Sequence, residues 1–128
     1  MIIFTFDTGA STGVAVLNSD KKTTLVLTLD SLALNKFLLH DDFAPDVVVI
    51  ERIPESSNYS LMMLYEMVKE FSLIKGVVPK LIAPTQWKPV AEARKWKCSK
   101  ATTQHEKDAF FLLRYYLWIT DNVDIGDA

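Results

Sequence analysis

The sequence predicts one α/β domain: a mixed five-stranded sheet with its first three strands antiparallel, flanked by helices, in the order β-β-β-α-β-α-β-α. Three observations predict it. Apolar runs rich in β-branched residues open the chain and recur as VVVIE and VVPKLIA. Apolar residues at helical spacing fill the stretch from Asn58 to about Lys75 and the stretch after Thr103. Gly, Pro, Asn and Asp mark the boundaries between these segments. At 128 residues, 49% hydrophobic and 23% charged, the chain has the size and balance of a single soluble domain spanning 1–128.

The elements follow in order. MIIFTFD ends at Asp7, a Gly-Ala-Ser-Thr-Gly turn follows, and VAVLN completes a hairpin. Asn18-Ser19-Asp20-Lys21 makes a second turn, and TTLVLTLD supplies the third strand. Asp30 or Ser31 caps a helix that runs to about His40. After Pro45, VVVIE is a nearly continuous apolar strand of the kind buried on both faces between parallel neighbours. Leu61, Leu64, Tyr65, Val68 and Phe71 give the next helix its core stripe, and Gly76 stops it. VVPKLIA is a short fifth strand closed by Pro84, and from there to Lys100 the chain reads as loop-like or weakly helical. The last helix begins near Thr102 or Thr103, where Thr103-Gln104-His105-Glu106 has the form of a capping box, and carries Ala109, Phe110, Leu112, Leu113, Tyr116 and Leu117. The acidic end DNVDIGDA, about 121–128, is expected to fray.

Composition narrows the function. No secretory h-region and no apolar run of the roughly 18 residues needed for a span is present, so a cytoplasmic location without a membrane partner is expected. A lone Cys98 forms no internal disulfide and no thiolate zinc site, and is expected as a small buried or half-buried side chain. The net charge of −2 hides an asymmetry: Lys75, Lys80, Lys88, Arg94, Lys95, Lys97 and Lys100 face only Glu92 across that stretch. Such a surface either tracks phosphates or is simply a solvated face.

Three acidic positions lie at the ends of predicted elements. Asp7 closes the first strand, Glu51 closes VVVIE, and Asp108 stands in the first turns of the last helix with His105 three residues before it, on the same face. If the first and fourth strands are parallel neighbours, Asp7 and Glu51 stand side by side and the last helix brings His105 and Asp108 to them. Carboxylates so grouped repel unless a hard divalent cation lies between them, and oxygen donors with one imidazole suit Mg²⁺ or Mn²⁺ better than zinc. Two-metal phosphoryl transfer is the chemistry such a site serves best. Read singly, Asp7 could make only an Asx turn, and His105 and Asp108 could be ordinary first-turn residues.

The letters DTGA at Asp7 also occur in aspartic proteases, but those need an almost all-β chain, and two helical segments fill the second half here. Actin-like ATPases share the first hairpin yet need two such domains to enclose a nucleotide, so no nucleotide cofactor is expected.

FDTGASTGVAVL, VVVIERIPESSN, LYEMVKEFSLIKG and HEKDAFFLLRYY, in this order and spacing, resemble the RuvC family of Holliday junction resolvases in the RNase H-like superfamily, above all its short phage-type members. The resemblance spans nearly the whole chain. It implies an RNase H-like fold, an active site of Asp7, Glu51, His105 and Asp108 that serve as the metal ligands, and two Mg²⁺ or Mn²⁺ ions per site. It implies a crossover junction endodeoxyribonuclease, a homodimer nicking symmetric strands of branched DNA to leave 5′-phosphate and 3′-hydroxyl ends, working in the host cytoplasm if phage-encoded. Lys88, Arg94, Lys95, Lys97 and Lys100, with the interleaved Trp87 and Trp96, would hold the DNA backbone, unless the tryptophans are ordinary packing. Where family members place an aromatic three residues after the second acid, this chain has Pro54, so that role is either absent or moved to Tyr59. The chain is also shorter than cellular members between Pro84 and His105. Met62, Met63 and Met67 make their helix the candidate dimer interface, with core filling as the alternative. Other readings are a different RNase H-like nuclease, such as a YqgF-like enzyme acting on RNA, and a non-catalytic binder of branched DNA.

Overall fold

The computed structural model describes residues 1–128. Its elements are β1 (Ile2–Asp7), β2 (Ser11–Asn18), β3 (Thr23–Asp30), α1 (Ser31–Leu38), β4 (Val47–Glu51), α2 (Tyr59–Ile74), β5 (Lys80–Ile82), α3 (Pro84–Ala93) and α4 (Gln104–Asp121). The strands form one mixed sheet in the order β3-β2-β1-β4-β5. The first three pair antiparallel, while β4 runs parallel to both β1 and β5. No helix is long and apolar enough to cross a membrane.

Because strand side chains alternate between faces, the sheet sorts its residues into two cores. Phe4, Phe6, Val14, Val48 and Ile50 pack under α1 and α2 with Leu34, Tyr65, Val68 and Phe71. Ile3, Ala15, Leu17 and Val49 face α3 and α4, meeting Trp87, Trp96, Phe110, Leu113 and Leu117. VVVIE is buried on both faces, which is why it reads as an uninterrupted apolar run.

The helix starts follow local chemistry. Asp30 Oδ1 accepts from Ala33 N at 2.8 Å to begin α1, and Asn58 Oδ1 accepts from Leu61 N at 2.9 Å to begin α2. Gly76, at φ 79°, lets the chain leave α2 through the left-handed region. Thr103 Oγ1 accepts from Glu106 N at 3.1 Å, which is the N-cap half of the expected capping box, while the Glu106 carboxylate turns to Thr102 and Thr28 and not back to Thr103 N.

Two expectations are corrected. The segment after Pro84, read as loop-like or weakly helical, holds the ten-residue helix α3 despite Pro89 in its interior. Pro84 at its start is compatible with a helix, and burial of Trp87 and Ala91 against α4 outweighs the hydrogen bond that Pro89 cannot donate. The acidic end, expected to fray, makes contacts with the fold. Asn122 turns the chain at φ 55°, and Ile125 and Ala128 pack against the core beneath α4. Asp124 receives Arg114 through Nε at 2.6 Å and Nη2 at 3.1 Å, while Arg114 lies 4.6 Å over the Trp96 ring. Asp127 accepts from Ser99 N at 2.7 Å and from the Ser99 hydroxyl, and Lys100 N donates to Ala128 O at 3.1 Å. The carboxylates of this tail meet donors from α4 and from the segment before it.

Hydrogen bonding to Arg114 holds the Asp124 carboxyl below its ordinary value. A depressed carboxylate stabilises the fold above the pKa of the unfolded chain and stops doing so as the pH falls through its own. Asp124→Asn is therefore expected to lower stability at pH 7 by about 1 kcal/mol or less, since the pair is part-exposed. The difference from wild type should shrink in acid, as read by denaturant unfolding at pH 7 and below about pH 4.

Candidate metal centre

One rung of the sheet carries the site. Thr28 pairs with Gly13, Gly13 with Asp7, and Glu51 with Ile82, while the Phe6–Ile50 pair brings the ends of β1 and β4 together. Asp7 and Glu51 thus occupy the same level of adjacent parallel strands, on the face covered by α3 and α4.

The first turn of α4 is seated directly on that rung. A Cβ on Gly13 would overlap the carbonyl group of His105 and stand 3.1 Å from Glu106 N, so only glycine admits the helix this close. Glu106 is buried and fastens the turn to β3. Its Oε2 accepts from Thr28 Oγ1 at 2.7 Å, and its Oε1 accepts from Thr102 N at 2.9 Å and Thr102 Oγ1 at 3.2 Å. Burial raises its pKa, but these hydrogen bonds prevail and keep it below the usual value. One turn further on, Thr5 Oγ1 on β1 donates to Ala109 O at 2.7 Å. The anchored helix places His105 Nδ1 3.4 Å from Asp7 Oδ2. Asp108 accepts from Gln104 Nε2 at 2.7 Å and stands close enough to both strand acids to raise their pKa values.

Glu51 is reached from the other side by α3. Trp87 Nε1 donates to Glu51 Oε2 at 2.7 Å. Lys88, the next residue, contributes a positive field at both Asp7 and Glu51. Burial first, and then the negative charge of Asp108, push Asp7 up to about 6 in spite of His105. Burial and the charge of Asp7 push Glu51 up to about 7 against the Trp87 hydrogen bond and Lys88. The fixed groups of the protein therefore leave negative charge at this rung undercompensated.

Three carboxylates and an imidazole gathered in this way match the donor preferences of a hard divalent cation. The side chains are adjacent but not closed into a cage: no three His, Cys, Asp or Glu are gathered tightly enough to hold an ion in the arrangement seen.

The basic residues fall into distinct places. Between α3 and α4 runs a groove of about 470 Å³ lined by Lys88, Lys95 and Lys107, by the acids Glu92 and Asp108, and by Gln104 and Trp87 among others. Lys97 lines a neighbouring hollow with Thr103 and Lys107. Lys100 Nζ donates to Thr24 O at 2.8 Å, and Arg94 lies 4.3 Å over the Trp118 ring. Those two are occupied within the fold, although both remain exposed. Trp87 and Trp96 are 2% and 7% exposed, which decides between the two readings of these residues in favour of packing: they are core side chains. Tyr59 begins α2 and is 77% exposed. Cys98 is buried, as expected. Sequence reasoning missed the Trp87 bond, the Glu106 anchor and Lys107. The HEKD string offered Lys107 one residue before Asp108 as a signal, whereas nothing local distinguished Trp87 from packing.

No known family pattern and no curated protein matches this chain in sequence. Solved structures do match in shape. A Thermus thermophilus RuvC structure in complex with a Holliday junction substrate superposes with a TM-score of 0.68 at 14% identity, over 94% of this chain and 96% of that one. A second structure of Thermus thermophilus RuvC gives 0.66 at 12% identity, over 97% and 98%. Both superpositions extend over nearly the whole chain, and its fold is RuvC-like.

Proposed function

We propose that this chain is a divalent-cation-dependent endonuclease that resolves four-way DNA junctions by paired, symmetric nicking, leaving 5′-phosphate and 3′-hydroxyl ends. The convergence of Asp7, Glu51, His105 and Asp108 on one rung of a RuvC-like sheet carries this reading. Mg²⁺ or Mn²⁺ held there would supply the positive charge that activates water and stabilises the leaving oxygen of a phosphodiester. Asp7, central on the rung, would serve both ions, Glu51 and Asp108 one each, and neutral His105 would add a nitrogen donor.

The rest of the chain orients the substrate. Lys88, Lys95 and Lys107 make the α3–α4 groove a phosphate track that ends at Asp108, and Lys97 extends it. Arg94 and Lys100 would contribute to the surrounding positive field. Tyr59, exposed at the start of α2, would be the side chain to meet bases at an open junction centre. A homodimer through α2 would present two sites; Met62 and Met63, 41% and 52% exposed, would be among its apolar contacts, with Met67 half-buried.

The test is incubation of the protein with a labelled four-way junction, the matching linear duplex and a structured RNA, each with Mg²⁺ or with EDTA. Paired nicks in the junction that vanish in EDTA are expected. Cleavage that persists in EDTA, preference for the RNA, or tight junction binding with no cut under Mg²⁺ or Mn²⁺ would each overturn the reading.

A further inference from the structure

The turn before α4 offers three hydrogen-bond donors to one short stretch of the acidic end. Cys98 O accepts from Ala101 N at 3.2 Å, which closes a turn with Ser99 and Lys100 at its exposed tip. Consecutive backbone N–H groups in a turn form a concavity that binds anions, and the Ser99 hydroxyl adds a third donor beside them. Here the chain fills its own concavity. Asp127 accepts from Ser99 N at 2.7 Å and from the Ser99 hydroxyl, and Ala128 O accepts from Lys100 N at 3.1 Å. The Ser99 bonds hold the exposed Asp127 carboxyl below its ordinary value, so these donors favour a negative group. Ser99 also lines the hollow that holds Lys97 and Lys107, and that hollow shares Lys107 and Gln104 with the α3–α4 groove. A DNA strand followed along those lysines reaches donors that a carboxylate already occupies.

We propose that the Ser99–Lys100 turn is a further phosphate-binding element at the far end of the track from Asp108, and that Asp127 is its built-in competitor, displaced when a DNA phosphate takes the same donors. This rests on the DNA-binding part of the reading above and not on cleavage. Backbone N–H groups and serine hydroxyls are common phosphate donors, so a phosphate oxygen suits the turn as a carboxylate oxygen does. The exchange needs only a short swing, because Asp124 is bonded to Arg114 at 2.6 Å and Ile125 packs against the core, which leaves Asp127 and Ala128 to move. An exposed charged contact is weak enough to be displaced. The tail therefore lowers affinity for DNA without closing the track.

The experiment measures junction binding by the full chain in EDTA at fixed ionic strength, since affinity for a phosphate backbone depends steeply on salt. Asp127→Ala is expected to tighten binding about three- to fivefold, the range open to an exposed charged contact. Asp121→Ala removes an equal charge from the exposed end of α4, away from the turn, and is expected to stay within about twofold of wild type because salt screens a distant charge. Ser99→Ala added to Asp127→Ala should give back part of the gain, since the phosphate then loses a donor. A second measurement needs no variant: in wild type saturated with junction, the backbone amide resonances of Asp127 and Ala128 should move to the positions of a disordered chain while that of Asp124 stays in place. Equal gains from Asp121→Ala and Asp127→Ala, a gain untouched by Ser99→Ala, or a tail that keeps its free-state resonances in the saturated complex would each overturn the proposal. If wild type binds neither junction nor linear duplex, the DNA reading itself fails and this inference falls with it.

Discussion

Asp7→Asn is expected to abolish cation-dependent cleavage. Asp7 stands between Glu51 on the adjacent strand and His105 on α4, so its loss removes the donor common to the proposed ion positions. Charge stabilisation by a bound metal is worth several kcal/mol in a transition state, and at 1.36 kcal/mol per decade its loss should slow cleavage by about a thousandfold or more. Junction binding in EDTA should change little. The same variant carries a stability signature of opposite sign. A carboxyl raised from its ordinary range to about 6 or 7 is protonated in the fold where the unfolded chain is ionised. Stability of the cation-free protein therefore falls as the pH rises from about 4 to about 7, because the folded state is then forced to ionise in a dry site. Asp7→Asn removes one of these groups, and should stabilise the cation-free protein at pH 8 by something of the order of 1–3 kcal/mol. Mg²⁺ should raise the melting temperature of wild type at that pH and leave the variant nearly unmoved. A variant that is less stable than wild type at pH 8 in EDTA would contradict this account of the rung.

Gly13→Ala is expected to be nearly as damaging for a different reason. The residue makes no contact with substrate chemistry, yet the added methyl would occupy the space of the His105 carbonyl group. Backbone cannot yield there as a flexible side chain would, because Glu106 is tied to Thr28 and Thr102 on one side and Ala109 to Thr5 on the other. Relief requires the start of α4 to lift away from β2, carrying His105 and Asp108 with it. Overpacking of a tight interior site typically destabilises by 1–3 kcal/mol, and about 3 kcal/mol or more is expected where backbone is struck. Cleavage should drop together with stability, and a crystal structure should show α4 displaced while β1 and β4 keep Asp7 and Glu51 adjacent. Wild-type stability and activity in this variant would show that the approach of α4 to β2 is looser than drawn.

Much of the molecule was legible in the residues. The alternation of MIIFTFD and TTLVLTLD, the unbroken VVVIE and the capped apolar stripe after Thr103 each report burial through a local period, so strand number, order and the start of α4 could be read directly. Asp7 and Glu51 stood out because an acid at the end of a buried strand has no easy route to solvent. The helix α3 did not stand out. Two prolines in ten residues argue against a helix on propensity, and what holds it is the burial of Trp87 and Ala91 against α4, which no local period reveals.

What sequence by itself determined, then, was which residues carry charge at the ends of which elements. Tertiary structure decided the rest: that Gly13, read as the end of a turn, is a strand residue that seats α4, that Trp87 spends its N–H on an acid 36 residues earlier, and that the acidic end is tied to Arg114 and Ser99. The physical reason is common to all three. Hydrogen-bond direction and steric clearance depend on which elements share a sheet face, and that is settled by long-range packing.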